Sequence, residues 1–383
     1  MDGAGRPPVF AMVAGEASGD LLAGLLLDGM RARWPGLQAQ GIGGPQMARR
    51  GFEAWWPHEK LAVRGYAEVL RHYREIVGIR SKLRERLLAD PPAAFIGVDA
   101  PDFNLDLEAA LKSRGIPAVH FVCPSIWAWR AGRVDKIRRS CDHVLCIFPF
   151  EPELLAREGI AATYVGHPLA AAIPMEPDRA AARRSLGLSQ DGQVVALMPG
   201  SRASEVHYLA LRFFQAAALL ARQCPEAHFV VPAMPSLKAG IEAAAREAGL
   251  ARNLSIVAGQ SHAALAACDV VLVASGTATL EAALFKRPMV IAYNMHWLSW
   301  ELMRRKKLQP WVGLPNILAG EFIVPELLQD AAKPEPLAAQ LLEWLRSPAR
   351  MAAVQEKFRA MHMQLQRDTA KLAADAIEKV IHR

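Results

Sequence analysis

Short runs of β-branched and aromatic residues alternate along this chain with longer stretches in which apolar positions recur at helical spacing. The pattern predicts strands at residues 9–14, 39–42, 94–98, 118–122, 143–147 and 163–165, with helices between them, for example at 21–33, 103–113 and 152–158. A segment carrying Pro168, Pro174 and Pro177 then interrupts the rhythm and reads as a linker. Beyond it the alternation restarts, with strands at 194–198, 228–231, 255–257, 270–273 and 289–292 and a long helix at 204–223. Strand–helix alternation predicts parallel sheets covered on both faces, so the expected class is α/β with two doubly wound, Rossmann-like domains. Such sheets take ligands beyond the carboxyl ends of their strands, and two of them imply a cleft between domains. The expected division is 1–170, 171–346 and a tail at 347–383. In the tail, 336–346 and 350–381 read as helices with no strand between them, so the last must pack on the first domain or on a partner.

Composition narrows the picture only a little. A length of 383 residues exceeds the roughly 250–300 at which single cores stop growing, and 52% hydrophobic residues are ample for two cores. The net charge of +7 suits phosphate-bearing ligands or an anionic surface. Nucleic acid is disfavoured, because no basic stripe interleaved with aromatics occurs. The scattered cysteines Cys123, Cys141, Cys146, Cys224 and Cys268 match no zinc spacing and read as free thiols in a reducing compartment. The first residues lack a secretory pattern, and no apolar run reaches the ~18 residues of a spanning helix. The expectation is a cytoplasmic protein, with contact to a membrane surface left open.

The chemistry-bearing segments sit at strand ends. Gly15-Glu16-Ala17-Ser18-Gly19-Asp20 follows the first strand, and Pro199-Gly200-Ser201-Arg202-Ala203-Ser204-Glu205 follows the first strand of the second half. Glycine lets the backbone approach a ligand, and the N–H groups of a helix start favour anions. Arg202 adds a fork-shaped cation suited to pyrophosphate. Neither loop is a GxxxxGK[ST] or GxGxxG fingerprint, and each also reads as an ordinary capped turn. Ser275-Gly276-Thr277 can offer hydroxyls and N–H groups to phosphate, with Glu281 one turn on to accept from a ribose; alternatively Ser275 or Thr277 caps the helix. Asn316 is a further polar candidate for that site. Asp99, directly after an apolar run, is a candidate general base, whereas Asp102 reads as the cap of a helix starting at Phe103. The segment 120–129, rich in aromatics, lines a sugar or acyl site or packs the core, and His167 is either functional or a buried structural histidine. No HExxH or acidic–histidine cluster predicts a metal. Along 64–88, Tyr66, Val69, Leu70, Tyr73, Ile76 and Val77 recur at helical spacing among arginines. Up to Val77 this helix fits either a membrane surface or its own sheet; beyond Ile79 packing is expected. Trp297 and Trp300, followed by Arg304-Arg305-Lys306-Lys307, form a second mixed patch.

Taken together, GEASGD (15–20), IGVDAPDFN (96–104), PSIWAWR (124–130), VGHPL (165–169), PGSRASE (199–205), SGTATLE (275–281) and LPNILA (314–319) resemble the lipid-A-disaccharide synthase family, in order and over most of the chain. The resemblance implies a metal-independent, cofactor-free glycosyltransferase of the B fold. It would join UDP-2,3-diacylglucosamine to 2,3-diacylglucosamine 1-phosphate, giving the β-1,6 disaccharide 1-phosphate and UDP. Asp99 would be the base and Arg202 would stabilise the departing UDP. Gly200, Ser201, Glu205, Ser275, Gly276, Thr277, Glu281 and Asn316 would hold the nucleotide, with Glu16, Ser18 and Asp20 on the acceptor side. It also implies peripheral attachment to the inner membrane and a homodimer that exchanges C-terminal segments. A UDP-sugar epimerase on the same architecture and a non-catalytic nucleotide- or lipid-binding module are the competing readings.

Overall fold

A computed structural model describes residues 7–61, 66–128, 131–250, 252–306 and 308–382. The chain falls into two compact units: Met1–Ala171 with Leu365–Arg383, and Ala172–Gln364. The helix Pro348–Leu365 thus belongs almost wholly to the second unit, and the return to the first begins later than the expected tail boundary at 347.

In the first unit the described strands are β1 (Val9–Ala14), β2 (Gln38–Gly43), β3 (Phe52–Pro57), β4 (Ala94–Val98), β5 (Ala118–Phe121), β6 (His143–Cys146) and β7 (Ala162–Tyr164). They form one parallel sheet in the order β3-β2-β1-β4-β5-β6-β7. The central strands are buried on both faces, β1 and β4 almost without exception, which is why they read as continuous apolar runs rather than alternating ones. In the second unit β8 (Val194–Met198), β9 (His228–Ala233), β10 (Leu254–Ala258), β11 (Val270–Ala274), β12 (Met289–Tyr293) and β13 (Glu326–Leu328) run parallel in the order β10-β9-β8-β11-β12-β13. Both sheets reverse their winding direction beside their first strand, at β1/β4 and at β8/β11. That is where a doubly wound sheet opens a crevice for ligand.

The tail differs from expectation in a second respect. The segment 350–381 is two helices, Pro348–Leu365 and Thr369–Ile381. The Leu365 carbonyl is taken by the His167 N–H at 2.9 Å instead of continuing the helical ladder. Asp368 then caps the next helix by accepting from the Lys371 N–H at 3.0 Å. This last helix packs on Ala17–Arg33 of the same unit, so closely that a Cβ at Gly29 would run into the Ala370 carbonyl.

The basic amphipathic helix spans Tyr66–Ala89. Ile79, Leu83 and Leu87 are buried in the core cluster, as the spacing implies, and Ile76 leans against the same cluster. Val77 is half-buried. The side chains of Tyr66, Val69, Leu70 and Tyr73 lie outside the described residues, as does Arg64. Among the described residues no helix is long and apolar enough to cross a membrane.

Candidate functional site

The second unit carries a cavity of about 340 Å³ at the carboxyl ends of β8, β9 and β11, lined by Gly200, Ser201, Arg202, Glu205, Ser275, Gly276, Thr277 and Glu281 among others. Every nucleotide-binding candidate except Asn316 is therefore in one place. A larger hollow of about 620 Å³ lies among helix ends, lined by Leu219, Arg222, Glu335, Leu342 and Arg346. It gathers none of the strand-end loops, so the smaller cavity is the better ligand site.

Two loops build its polar wall. After β8 the backbone turns at Gly200, whose φ of +125 and proximity to the Glu205 side chain leave no room for a Cβ. The Glu205 carboxylate accepts from the Ser201 and Arg202 N–H groups at 2.9 and 3.2 Å, and pairs with the Arg202 guanidinium at 3.3 Å. Glu205 thus shapes the loop and holds its arginine, while Arg202 stays 60% exposed and able to swing to a ligand. After β11 the helix Thr277–Leu284 starts at Gly276 with no side-chain cap. Ser275 Oγ donates instead to the Val312 carbonyl at 3.2 Å, and Thr279 Oγ1 to the Gly276 carbonyl at 2.8 Å. The capping alternative for Ser275 and Thr277 is therefore not what the chain adopts, and the helix start faces the cavity with its N–H groups available to an anion. Burial raises the Glu281 carboxyl above its ordinary value, with His262, 3.8 Å away, pulling partly the other way.

Asn316 has another task. It is fully buried, donates to the Val324 carbonyl and to Glu326 Oε1 at 2.9 Å each, and accepts from the Ile323 and Val324 N–H groups at 2.8 and 3.0 Å. With its hydrogen-bonding capacity spent, it pins the 312–326 loop and has nothing left for a nucleotide. Tyr293, at the end of β12 and outside the sequence candidates, is half-buried; burial raises its phenol above the ordinary value, Glu205 adds to that and Arg202 opposes it. Its position one residue beyond the expected strand 289–292 was the available signal.

In the first unit the loops after β1 and β4 meet at the switch point, close enough that a Cβ on Gly15 would lie 3.0 Å from that of Ala100. Asp99 and Ala100 both take left-handed backbone, with φ of 52 and 42. Such strain costs on the order of 1–3 kcal/mol per residue and persists only where the surroundings impose it. Here the Asp99 N–H donates to the Phe121 carbonyl at 2.8 Å, and Asn104 Nδ2 donates to the Asp99 carbonyl at 2.8 Å. The Asp99 carboxyl is held above its ordinary value by burial; His120 and the Ala100 N–H oppose that, and Glu16 adds to it. Glu16 is half-buried and Ser18 exposed at the same crevice.

Asp20 is not available to an acceptor. It is 2% exposed, and its carboxylate accepts from the N–H groups of Gly44, Gln46 and Met47 at 2.9, 2.8 and 3.1 Å, capping the helix Pro45–Ala48. Asp102 is likewise not a cap: the helix begins at Pro101 behind Ala100, and Asp102 is an exposed first-turn residue paired with Arg133. Trp127 is buried edge-on against Phe148 and Phe150, donating to Glu151 Oε1 at 3.0 Å. Glu151 is pushed up to about 7 by burial. Trp129 and Arg130 lie outside the described residues. Burial lowers His167 to about 4, and its Nδ1 accepts from the Leu169 N–H at 3.2 Å, so it is a neutral structural histidine. Trp297 is 70% exposed; Lys307 lies outside the described residues.

Solved structures share this architecture at low identity. The chain matches Acinetobacter baumannii MurG with a TM-score of 0.59 and 16% identity, covering 98% of this chain and 100% of that one. It matches a UDP-GlcNAc 2-epimerase from Neisseria meningitidis, bound to UDP-GlcNAc, with a TM-score of 0.61 and 10% identity over 98% and 99% of the two chains. These show two parallel α/β domains of the glycosyltransferase B type. At the sequence level the lipid-A-disaccharide synthetase family model matches residues 10–380. The lipid-A-disaccharide synthase of Albidiferax ferrireducens is 68% identical over 97% of each chain, and that of Verminephrobacter eiseniae 62% over 100% of each. The chain belongs to the lipid-A-disaccharide synthase family.

Proposed function

We propose that the chain transfers the sugar of UDP-2,3-diacylglucosamine, with inversion, to 2,3-diacylglucosamine 1-phosphate, using Asp99 as base and Arg202 to hold the leaving diphosphate. Family membership makes it a glycosyltransferase of lipid A disaccharide synthesis. The observation that carries the residue roles is the strand-end cavity of the second unit, where an exposed guanidinium and an uncapped helix start adjoin a carboxylate. Diphosphate would lie against Arg202 and the N–H groups at Thr277, with ribose on Glu281. The acceptor oxygen attacks the anomeric carbon from the side opposite UDP while the carbon–oxygen bond to UDP breaks. Asp99 takes the proton, and UDP departs with its new charge against Arg202. Inversion needs one base and no covalent intermediate.

The test is to incubate the protein with both substrates and follow UDP and disaccharide by mass. UDP and disaccharide should form in equal amounts, and neither without acceptor. A changed nucleotide sugar with no UDP released would make the chain an epimerase, and ligand binding without turnover would make it a binding module.

Peripheral attachment to the inner membrane belongs to the same reading, supported by the apolar and basic periodicity of the helix Tyr66–Ala89. Val69→Ser with Leu70→Ser should move the protein from anionic vesicles to the free fraction without altering its melting temperature. Unchanged partition would assign those positions to packing. Ile76 is left out because it leans on the core.

A further inference from the structure

Between β12 and β13 the chain of the second unit leaves the sheet and comes back, and both stems of this excursion are tied down beside the strand-end cavity. At the start, Gln329 turns its amide nitrogen toward Asn294 Oδ1 and the Met295 carbonyl, at 2.8 and 3.0 Å. The Gln329 carbonyl is itself held at 2.9 Å by Arg212, on the helix Ala203–Gln223 that follows Arg202. At the end, the Val312 carbonyl accepts from Ser275 Oγ at 3.2 Å, and Glu326 takes the Val312 and Gly313 N–H groups. Ser275 lines the cavity, so the excursion returns at its rim.

Between the stems lies the helix Trp297–Lys306. Trp297 is 70% exposed, and Leu308, just past the helix, is 54% exposed. Burying an aromatic side chain of this size is strongly favourable, and the fold leaves that gain unused. Trp297, Trp300 and Arg304 follow at spacings of three and four, which places them along one helix face. From His296 to Leu308 the sequence holds the basic run Arg304-Arg305-Lys306-Lys307 against one acid, Glu301. Tryptophan beside such a run is the composition that settles in the headgroup layer of an anionic bilayer. The amphipathic indole prefers the interface, and the cations meet the negative surface potential. A second copy is the poorer occupant, because in a two-fold contact the basic run would meet itself. A protein partner fits less well too, since the centres of such interfaces are depleted of charge.

We propose that the helix Trp297–Lys306 docks on an anionic bilayer surface, bringing the nucleotide cavity of its unit close to the layer from which an acylated donor arrives. This is a membrane contact separate from the helix Tyr66–Ala89, which stands in the other unit. The docking does not depend on that helix; its purpose rests on the donor being a lipid, as proposed above.

The experiment is flotation with vesicles of phosphatidylethanolamine and phosphatidylglycerol, against vesicles of phosphatidylcholine alone. Lys306→Gln with Lys307→Gln should lower partition to the anionic vesicles by about 25-fold, roughly fivefold per charge, and the loss should shrink at high salt. Trp297→Ser should weaken binding to the anionic vesicles at every salt concentration. Because Trp297 is exposed, its variant should keep the wild-type melting temperature and UDP affinity, so lost binding is not lost fold. Unchanged partition in both variants overturns the proposal; a fall in Val69→Ser with Leu70→Ser would then leave the earlier helix as the membrane contact. The reverse outcome supports this helix and removes the other. If Trp297→Ser leaves partition alone but dissociates an oligomer in sedimentation, the face belongs to a second copy. If it only raises KM for detergent-dispersed donor, the face belongs to the donor's acyl chains. Either result sinks the bilayer reading. A protein that floats as expected yet forms no disaccharide would sink the proposed activity and keep the docking surface.

Discussion

Asp99→Asn is expected to lower kcat by about 100-fold or more, the usual contribution of a positioned base, while leaving UDP affinity near that of the wild type. The carboxyl is carried on a turn of two left-handed residues whose backbone is fixed by the Phe121 carbonyl and the Asn104 amide. Asn tolerates left-handed backbone as well as Asp does and has the same shape, so the turn should survive. Stability follows from the sign of the titration. Burial holds the Asp99 carboxyl above its ordinary value, so its ionisation opposes folding at neutral pH. That penalty is full above the raised value and vanishes below the ordinary one. Asn carries no charge at any pH, so the variant should melt no lower than the wild type at pH 7 and lose the part of the pH dependence that Asp99 supplies. A variant that loses turnover and also melts lower would mark Asp99 as structural; wild-type turnover would remove it from the base role.

The elements that sequence periodicity located best are those buried on both faces. β1, β4 and β8 match the expected ranges residue for residue, because double burial leaves an unbroken apolar run with polar turns on either side. The strands it missed lie at sheet edges. β3 exposes half of its residues, buries only Phe52 and contains Trp55-Trp56, and β13 is three residues long, its Glu326 turned back to hold the Val312 and Gly313 N–H groups. Neither has an apolar period to read. At the candidate site, residues on strand-end loops were legible because glycine, hydroxyl and charge cluster there. Asp20 and Asn316 carry the same residue types in the same motifs, yet one caps a helix 24 residues away and the other pins a loop. Those partners come from tertiary contacts that spacing along the chain does not encode.

Arg202→Ala should lower kcat by roughly 100- to 1,000-fold, the range for removing one preorganised donor from a developing oxyanion, with a smaller rise in KM for the donor. The asymmetry follows from when the interaction strengthens. Bound UDP-sugar already spreads its diphosphate charge, but cleavage places a further charge on the leaving oxygen, and an arginine aimed there gains most at the transition state. Glu205 supplies the aim: it holds the loop N–H groups with one oxygen and the guanidinium with the other, leaving the Arg202 head exposed toward the cavity. Arg202→Lys keeps the charge without the fork, so it should recover part of the loss and no more. Glu205→Gln gives an independent check, since a weaker anchor should cost activity only when Arg202 is present. In the Arg202→Ala background the same change should therefore be nearly silent. A loss confined to KM, with kcat intact, would show that Arg202 binds the donor equally in ground and transition states, and the departing UDP would need another stabilising group.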